Sequence, residues 1–247
     1  RATTSHAEPF KSRWHLAGSR APDPGGRAGP GPALGTGTSF WPLPLVRYPG
    51  RLPGRADVLV IGGGITGVSL MHHLGKAGIG AVLVERDHLA AGASGRNAGF
   101  LLAGVAECYA EAVRIFGRSR SRDIWTMTVE NHNEEIAAVE GQDIGYRRGG
   151  SVILASGPRE AEQLAESAEL MTEDGFECAW DGSVLSNPGD GEVTPSLLVG
   201  ALARLAPAGS IREGVDVTAL EAGRGDVLVH AGGEVCRAGC VIMATNA

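Results

Sequence analysis

Asp57-Val58-Leu59-Val60-Ile61-Gly62-Gly63-Gly64-Ile65-Thr66-Gly67 decides the fold. Its first five residues are a short, continuous apolar run rich in β-branched side chains, the signature of a strand buried on both faces of a parallel sheet. Residues 65–77 then carry a helical pattern. Gly78 and Gly80 break it, and Ala81 to Glu85 reads as a second buried strand. Strand, glycine turn, helix and strand within about 30 residues make a βαβ unit. The glycines satisfy G-x-G-x-x-G, and each has a physical task. Gly62 turns the chain out of the strand, Gly64 lets backbone approach a pyrophosphate, and Gly67 lets helix and strand pack closely. The helix start offers unpaired N–H groups and a partial positive charge to phosphates. Glu85 ends the second strand, where a carboxylate accepts hydrogen bonds from ribose hydroxyls and repels a 2′-phosphate. The unit therefore predicts dinucleotide binding and disfavours NADP.

Outward from this unit the chain changes character. Residues 1–38 are rich in Pro, Gly, Ser and Thr, without apolar periodicity, and predict a disordered leader. Ser39-Phe40-Trp41 begins something more structured, and its proline-rich continuation to Pro53 should run extended over the following domain. Residues 104–140 look mainly helical. Ser151 to Ala155 reads as a strand, Pro158 to about Glu173 as a helix opened by proline, and Pro195 to Leu205 as another. Asp226–Ala231 and Glu234–Arg237 alternate around Gly232-Gly233, a hairpin signal, and Val241–Ala244 is a last buried strand.

Composition sets the outer bounds. Across 247 residues, 43% are hydrophobic and 20% charged, which is ordinary for a soluble globular protein. The net charge is −6, and it is uneven. Residues 1–56 hold 8 basic and 2 acidic side chains, leaving 14 basic and 26 acidic for the rest. An acidic body with a short basic arm argues against nucleic acid as a partner. Four cysteines (108, 178, 236 and 240) suggest no disulfide framework, and Cys236 and Cys240 have no second pair nearby to complete a metal site. No stretch reads as a signal peptide or membrane span, so a cytoplasmic protein is expected. The chain begins at Arg1 rather than Met and stops at Ala247 directly after an apolar strand, which suggests a fragment of a longer protein.

Gly92-Ala93-Ser94-Gly95-Arg96-Asn97-Ala98-Gly99-Phe100 follows Glu85 closely. It resembles the second flavin loop of the D-amino-acid-oxidase-type FAD-dependent oxidoreductases, particularly the gamma-glutamylputrescine oxidase and glycine/sarcosine oxidase groups. The resemblance extends over about 38–247. Ser39-Phe40-Trp41 resembles the family's lead-in segment, and Arg148 to Ala155 the strand entering its substrate domain. Val193-Thr194-Pro195 through Val217 resembles the return to the FAD domain, and Ala244-Thr245-Asn246-Ala247 the strand end that meets the cofactor again. A Ser/Arg/Asn/Gly loop supplies hydroxyl, guanidinium and amide donors suited to a pyrophosphate and a flavin edge.

The resemblance implies an α/β fold: an FAD/NAD(P)-binding, Rossmann-like domain with part of a β-rich substrate domain inserted in it. The expected division is 39–146 and 193–247 for the FAD-binding domain and 147–192 for the insertion. It implies FAD as cofactor, held by Gly62, Gly63, Gly64, Ile65, Thr66, Gly67, Glu85, Arg86, Ser94, Arg96, Asn97, Ala98, Gly99, Val217, Ala244 and Thr245. Val217 would offer its backbone to the adenine. The implied reaction is oxidation of the CH–NH group of a small amine or amino acid, with no metal. No residue stands out as a catalytic base. His132, within Glu130-Asn131-His132-Asn133-Glu134, could serve as an active-site base but reads rather as part of a solvated helix face, as do Arg118, Arg120 and Arg122. His72-His73 makes a poor metal pair, since adjacent helix residues point apart. Met71 replaces a residue usually small in the family, which predicts looser helix–sheet packing there. Two alternatives stay open: an NAD-dependent dehydrogenase in which 92–100 is merely a polar turn, and a non-catalytic flavoprotein fragment.

Overall fold

A computed structural model describes residues 13–15 and 39–245. In chain order its elements are β1 (Arg13–His15), β2 (Arg55–Ile61), α1 (Ile65–Lys76), β3 (Ala81–Glu85), β4 (Phe100–Leu101), α2 (Tyr109–Phe116) and α3 (Arg118–Ala138). Then follow β5 (Ser151–Leu154), α4 (Pro158–Glu173), β6 (Ala179–Trp180), β7 (Val184–Asn187), β8 (Gly191–Glu192) and α5 (Pro195–Ala203). The last four strands are β9 (Ile211–Glu213), β10 (Val217–Ala222), β11 (Val227–Ala231) and β12 (Glu234–Met243). The chain divides into two compact units. One runs up to Arg96 and resumes at Val199; the other is Asn97–Leu198. The sequence reading set its boundaries at 146/147 and 192/193, so α2 and α3 fall in the second unit rather than the first. Apart from Arg13–His15, the segment expected to be a disordered leader lies outside the described residues.

The first unit is a seven-stranded sheet in the order β1-β10-β11-β12-β2-β3-β9. The β12–β2, β2–β3 and β3–β9 pairs are parallel, while β10, β11 and β12 form an antiparallel meander. Gly232 and Gly233, both at positive φ (54° and 84°), make the β11–β12 turn at the predicted position. One face of the sheet carries a core of Leu52, Leu59, Ile61, Val84, Val217, Val229 and Cys236. Val60, Leu83, Val68 and Met71 are also fully buried. At roughly 1.5–3 kcal/mol for each large apolar side chain removed from water, these residues specify the sheet. Met71, the larger side chain at a position usually small in the family, is itself buried, at 1% exposure.

The second unit joins α2, α3 and α4 to a three-stranded antiparallel sheet, β5-β7-β6, and a short β4–β8 ladder. Tyr109, Ala112, Trp125 and Met171 form its helical core, with the Tyr109 ring edge-on to Trp125 (4.8 Å) and to Phe176 (5.7 Å). The Tyr109 hydroxyl donates to Asp174 at 2.7 Å, and Arg118 holds the same carboxylate through Nε and a terminal nitrogen. Arg118 is exposed at the start of α3, as the sequence predicts, and its ion pair ties it to the end of α4.

Candidate functional site

The site sits where β2, β3 and β12 end. The Gly62 N–H donates to Val84 O (2.9 Å), and Ala244 N–H donates to Ile61 O (2.8 Å). Gly62 has φ +116°, and a Cβ there would lie 2.6 Å from Ala244 O. Both its backbone conformation and the closeness of β12 therefore require glycine. At Gly67 a Cβ would meet Gly62 O at 2.0 Å. Helix α1 can approach the strand this closely only because the residue has no side chain. Helix α1 begins without a side-chain cap of its own and without an acidic residue in its first turn. Instead Ser94 Oγ, from the loop after β3, accepts from Ile65 N–H at 2.9 Å. A Cβ on Gly64 would lie 2.9 Å from that same oxygen.

Glu85 closes the other side. One of its oxygens accepts from Gly63 N–H (2.7 Å) and the other from Asp87 N–H (2.9 Å). The turn that follows is pinned again by Ala90 N–H donating to Gly63 O (3.0 Å). Thus Gly62–Gly67, Glu85, Ser94, Ala244 and Thr245 converge at one end of the parallel strands. Val217 lies two residues beyond Val215, whose N–H donates to Glu85 O (2.9 Å). The Val217 side chain is buried in the sheet core. Arg86 is exposed and pairs with Asp87 (3.5 Å); Thr66 and Arg96 are also exposed.

Asn97, Ala98 and Gly99 belong to the second unit. There Asn97 Oδ1 accepts from Gly99 N–H (2.8 Å), an Asx turn, while Gly99 takes φ +81° and accepts from Val193 N–H (2.8 Å).

Two residues depart from the sequence reading. His132 is 8% exposed, not solvated. Its Nε2 lies 3.0 Å from the Tyr146 hydroxyl, which also accepts from Arg148 Nε. Burial and the Arg148 charge push its pKa down against the opposing pull of Asp190. Glu213, which sequence reasoning passed over, is 4% exposed and accepts from Arg47 Nε (2.7 Å), Tyr48 N–H (2.9 Å) and Leu89 N–H (2.8 Å). Burial alone would raise its pKa, but these donors reverse the effect and hold it below the ordinary carboxylate value. Among the described residues no His/Cys/Asp/Glu group could hold a metal ion, and no helix is long and apolar enough to cross a membrane.

The sequence is 33% identical over 116 residues to gamma-glutamylputrescine oxidoreductase of Escherichia coli, covering 46% of this chain and 27% of that protein. It is 27% identical over 177 residues to mitochondrial dimethylglycine dehydrogenase of Rattus norvegicus, covering 60% of this chain and 18% of that protein. Glycine oxidase from Geobacillus kaustophilus superposes with a TM-score of 0.62 at 23% identity, over 79% of this chain and 56% of that one, which shows a shared fold. The chain thus spans roughly a fifth to a quarter of these curated relatives and about half of that structure. The sequence profile of the DAO family, FAD dependent oxidoreductase, matches residues 57–247. From the glycine loop to its last residue, the chain belongs to the DAO family of FAD dependent oxidoreductases.

Proposed function

We propose that this chain holds FAD with the residues gathered around Gly62–Gly67, as the cofactor-binding part of an enzyme that oxidises the CH–NH group of a small amine or amino acid. The observation that carries the reading is the meeting of Ile65 N–H, Gly64 and Ser94 Oγ at the start of α1, whose N-cap residue Gly64 supplies no side chain of its own. A hydroxyl oxygen already accepts from the first helical N–H, so the position suits an oxygen acceptor such as a phosphate. The residues fit the cofactor in two further ways. Gly62 and Gly67 leave backbone where any side chain would collide, and Glu85 carries a carboxylate to the end of β3 for ribose hydroxyls.

In this reading Gly64, Ile65 and Ser94 hold the pyrophosphate, with Thr66 and Arg96 beside them. Glu85 and Arg86 meet the ribose, Val217 the adenine, and Ala244 and Thr245 the flavin end. Bound FAD supplies the hydride acceptor for oxidation of the amine to an imine, which water then hydrolyses. The protein's share is to bind, orient and exclude. Glu85 keeps the glycine loop in register through Gly63, and Gly67 keeps the helix start at its working distance from the strand. The amine substrate class is supported by relatives whose names carry gamma-glutamylputrescine and dimethylglycine.

Titration of the protein with FAD, followed by flavin absorbance and fluorescence, tests the cofactor. Saturable binding of FAD in preference to NAD is expected; saturable binding of NAD with none of FAD would overturn the reading. Anaerobic addition of secondary and primary amines to the loaded protein then tests the substrate class. Bleaching of the flavin band is the expected result, and a band unmoved by every amine and amino acid would reject that class.

A further inference from the structure

We infer that Glu213 is a positioning residue for the cofactor loop, and that through it the proline-rich segment before β2 becomes part of the cofactor site. The inference rests on the placement of FAD proposed above.

Glu213 ends β9, directly beside Glu85 in the parallel register. The two carboxylates grip one turn from opposite sides: Glu85 takes Asp87 N–H and Glu213 takes Leu89 N–H at 2.8 Å. Leu89 is fully buried, and a Cβ on Gly63 would lie 2.7 Å from its Cδ2, so this side chain rests against the glycine loop. The next residue, Ala90, donates to Gly63 O and has φ +60°, the left-handed region a non-glycine residue enters only at a cost of about 1 kcal/mol or more. Ala90 in turn sets the second loop, for a Cβ on Gly95 would lie 2.1 Å from Ala90 O. Gly95 follows Ser94, the acceptor at the start of α1. One line of contact therefore runs from Glu213 through Leu89 and Ala90 to both loops that face the proposed pyrophosphate.

The opposite side of Glu213 is held by the lead-in segment. Arg47 Nε and Tyr48 N–H both donate to Oε2, Glu213 N–H donates to Tyr48 O (2.6 Å), and Gly50 N–H donates to Glu213 O (3.2 Å). The far end of that segment reaches the second loop as well, where the Ser39 hydroxyl donates to Gly95 O. Segment 39–50 thus braces the cofactor loops at two points. Arg47 is half exposed, so solvent screens its side of the ion pair, and what Glu213 adds above all is placement.

The test uses FAD titration of the wild-type chain and the variants Glu213→Gln, Leu89→Ala, the double variant and Arg47→Met, with urea unfolding of each apoprotein alongside. Glu213→Gln is expected to weaken FAD binding about tenfold. The double variant should lose clearly less than the two single losses combined, because Glu213 acts through Leu89. Should Glu213→Gln fail to fold, Arg47→Met removes the surface donor while leaving both backbone donors, and is expected to weaken FAD several-fold. Wild-type affinity in whichever of these variants folds, or full additivity of Glu213→Gln and Leu89→Ala, would overturn the role of Glu213. If the wild-type chain itself takes up no FAD, the cofactor placement falls and this inference with it, an outcome distinct from variants that bind as well as wild type.

Discussion

Helix α1 contains two glycines whose replacement by alanine should have opposite effects. At Gly67 the new Cβ would sit 2.0 Å from Gly62 O and 3.1 Å from Leu83 Cδ1. Ordinary contact needs about 3.4 Å or more, so the helix start would have to retreat by more than an ångström. The obstacle cannot give way easily: it is the backbone carbonyl of Gly62, whose N–H is bonded to Val84 O. Overpacking of this kind typically costs ~1–3 kcal/mol, and a rigid neighbour puts Gly67→Ala at about 3. Alanine returns about 1 kcal/mol of helix propensity, leaving a net loss of about 2 kcal/mol. At Gly75, eight residues on, the nearest atom to a new Cβ is Pro207 Cδ at 3.7 Å, an ordinary contact. There only the propensity gain survives, about 0.5–1 kcal/mol of added stability. Urea unfolding of both variants measures the pair. FAD titration of Gly67→Ala should show at least a tenfold loss, about 1.4 kcal/mol, because the first helical N–H groups move with the helix. A Gly67→Ala protein as stable and as tight for FAD as wild type would refute the claim that close helix–strand approach is what glycine provides here.

Glu85→Ala leaves Gly63 N–H buried without its acceptor and should cost ~1–3 kcal/mol in unfolding experiments, with weaker FAD binding by titration. Tyr109→Phe removes the donor to Asp174 while keeping the ring contacts, so a loss of about 1 kcal/mol is expected; an unchanged urea midpoint would contradict the bond's contribution. Glu213 supplies a pH prediction. Its folded pKa lies below the ordinary 4.5 of an unfolded glutamate, so its stabilisation is complete above that value and is lost as pH falls through the folded pKa. Wild type should therefore lose more stability than Glu213→Gln as pH falls below 4.5, and parallel pH profiles would refute the assignment.

The parts of the fold legible in the sequence are those whose causes are local. Asp57–Glu85 holds a strand, a turn, a helix and a strand whose identities depend on neighbours within a few residues, and all of them form. Pro158 opens α4 and Gly232-Gly233 turns the meander for the same kind of reason, one fixed φ and two positive ones. Boundaries between compact units have no such local cause. Residues 97–146 read as a continuation of the first domain because helices look alike wherever they pack. It takes tertiary contacts, such as those of Tyr109, Trp125 and Met171, to join α2 and α3 to α4.

His132 and Glu213 show what kind of functional or structural residue escapes a reading of spacing. The buried positions of α3 include Ser121, Trp125 and His132, and Thr128 accepts from Gly104 N–H. A stripe built from serine, threonine and histidine carries almost no apolar signal, so a polar run such as Glu130–Glu134 looks solvated. Burial of His132 and Thr128 is tolerable because partners arrive from elsewhere, Tyr146 for His132 and Gly104 for Thr128. Glu213 is the extreme case. Its donors lie 124, 165 and 166 residues away, at Leu89, Tyr48 and Arg47. Between Arg212 and Gly214 it looks like any surface glutamate, and no periodicity or motif distinguishes it. A buried charge is defined by its partners, and when every partner is distant in sequence its role becomes visible only once the chain has brought them together. The residues that bind a cofactor can be spaced by a motif because they all face one ligand. Residues that hold loops in place answer to the rest of the fold, so on the proposed cofactor placement Glu85 is legible in the sequence and Glu213 is not.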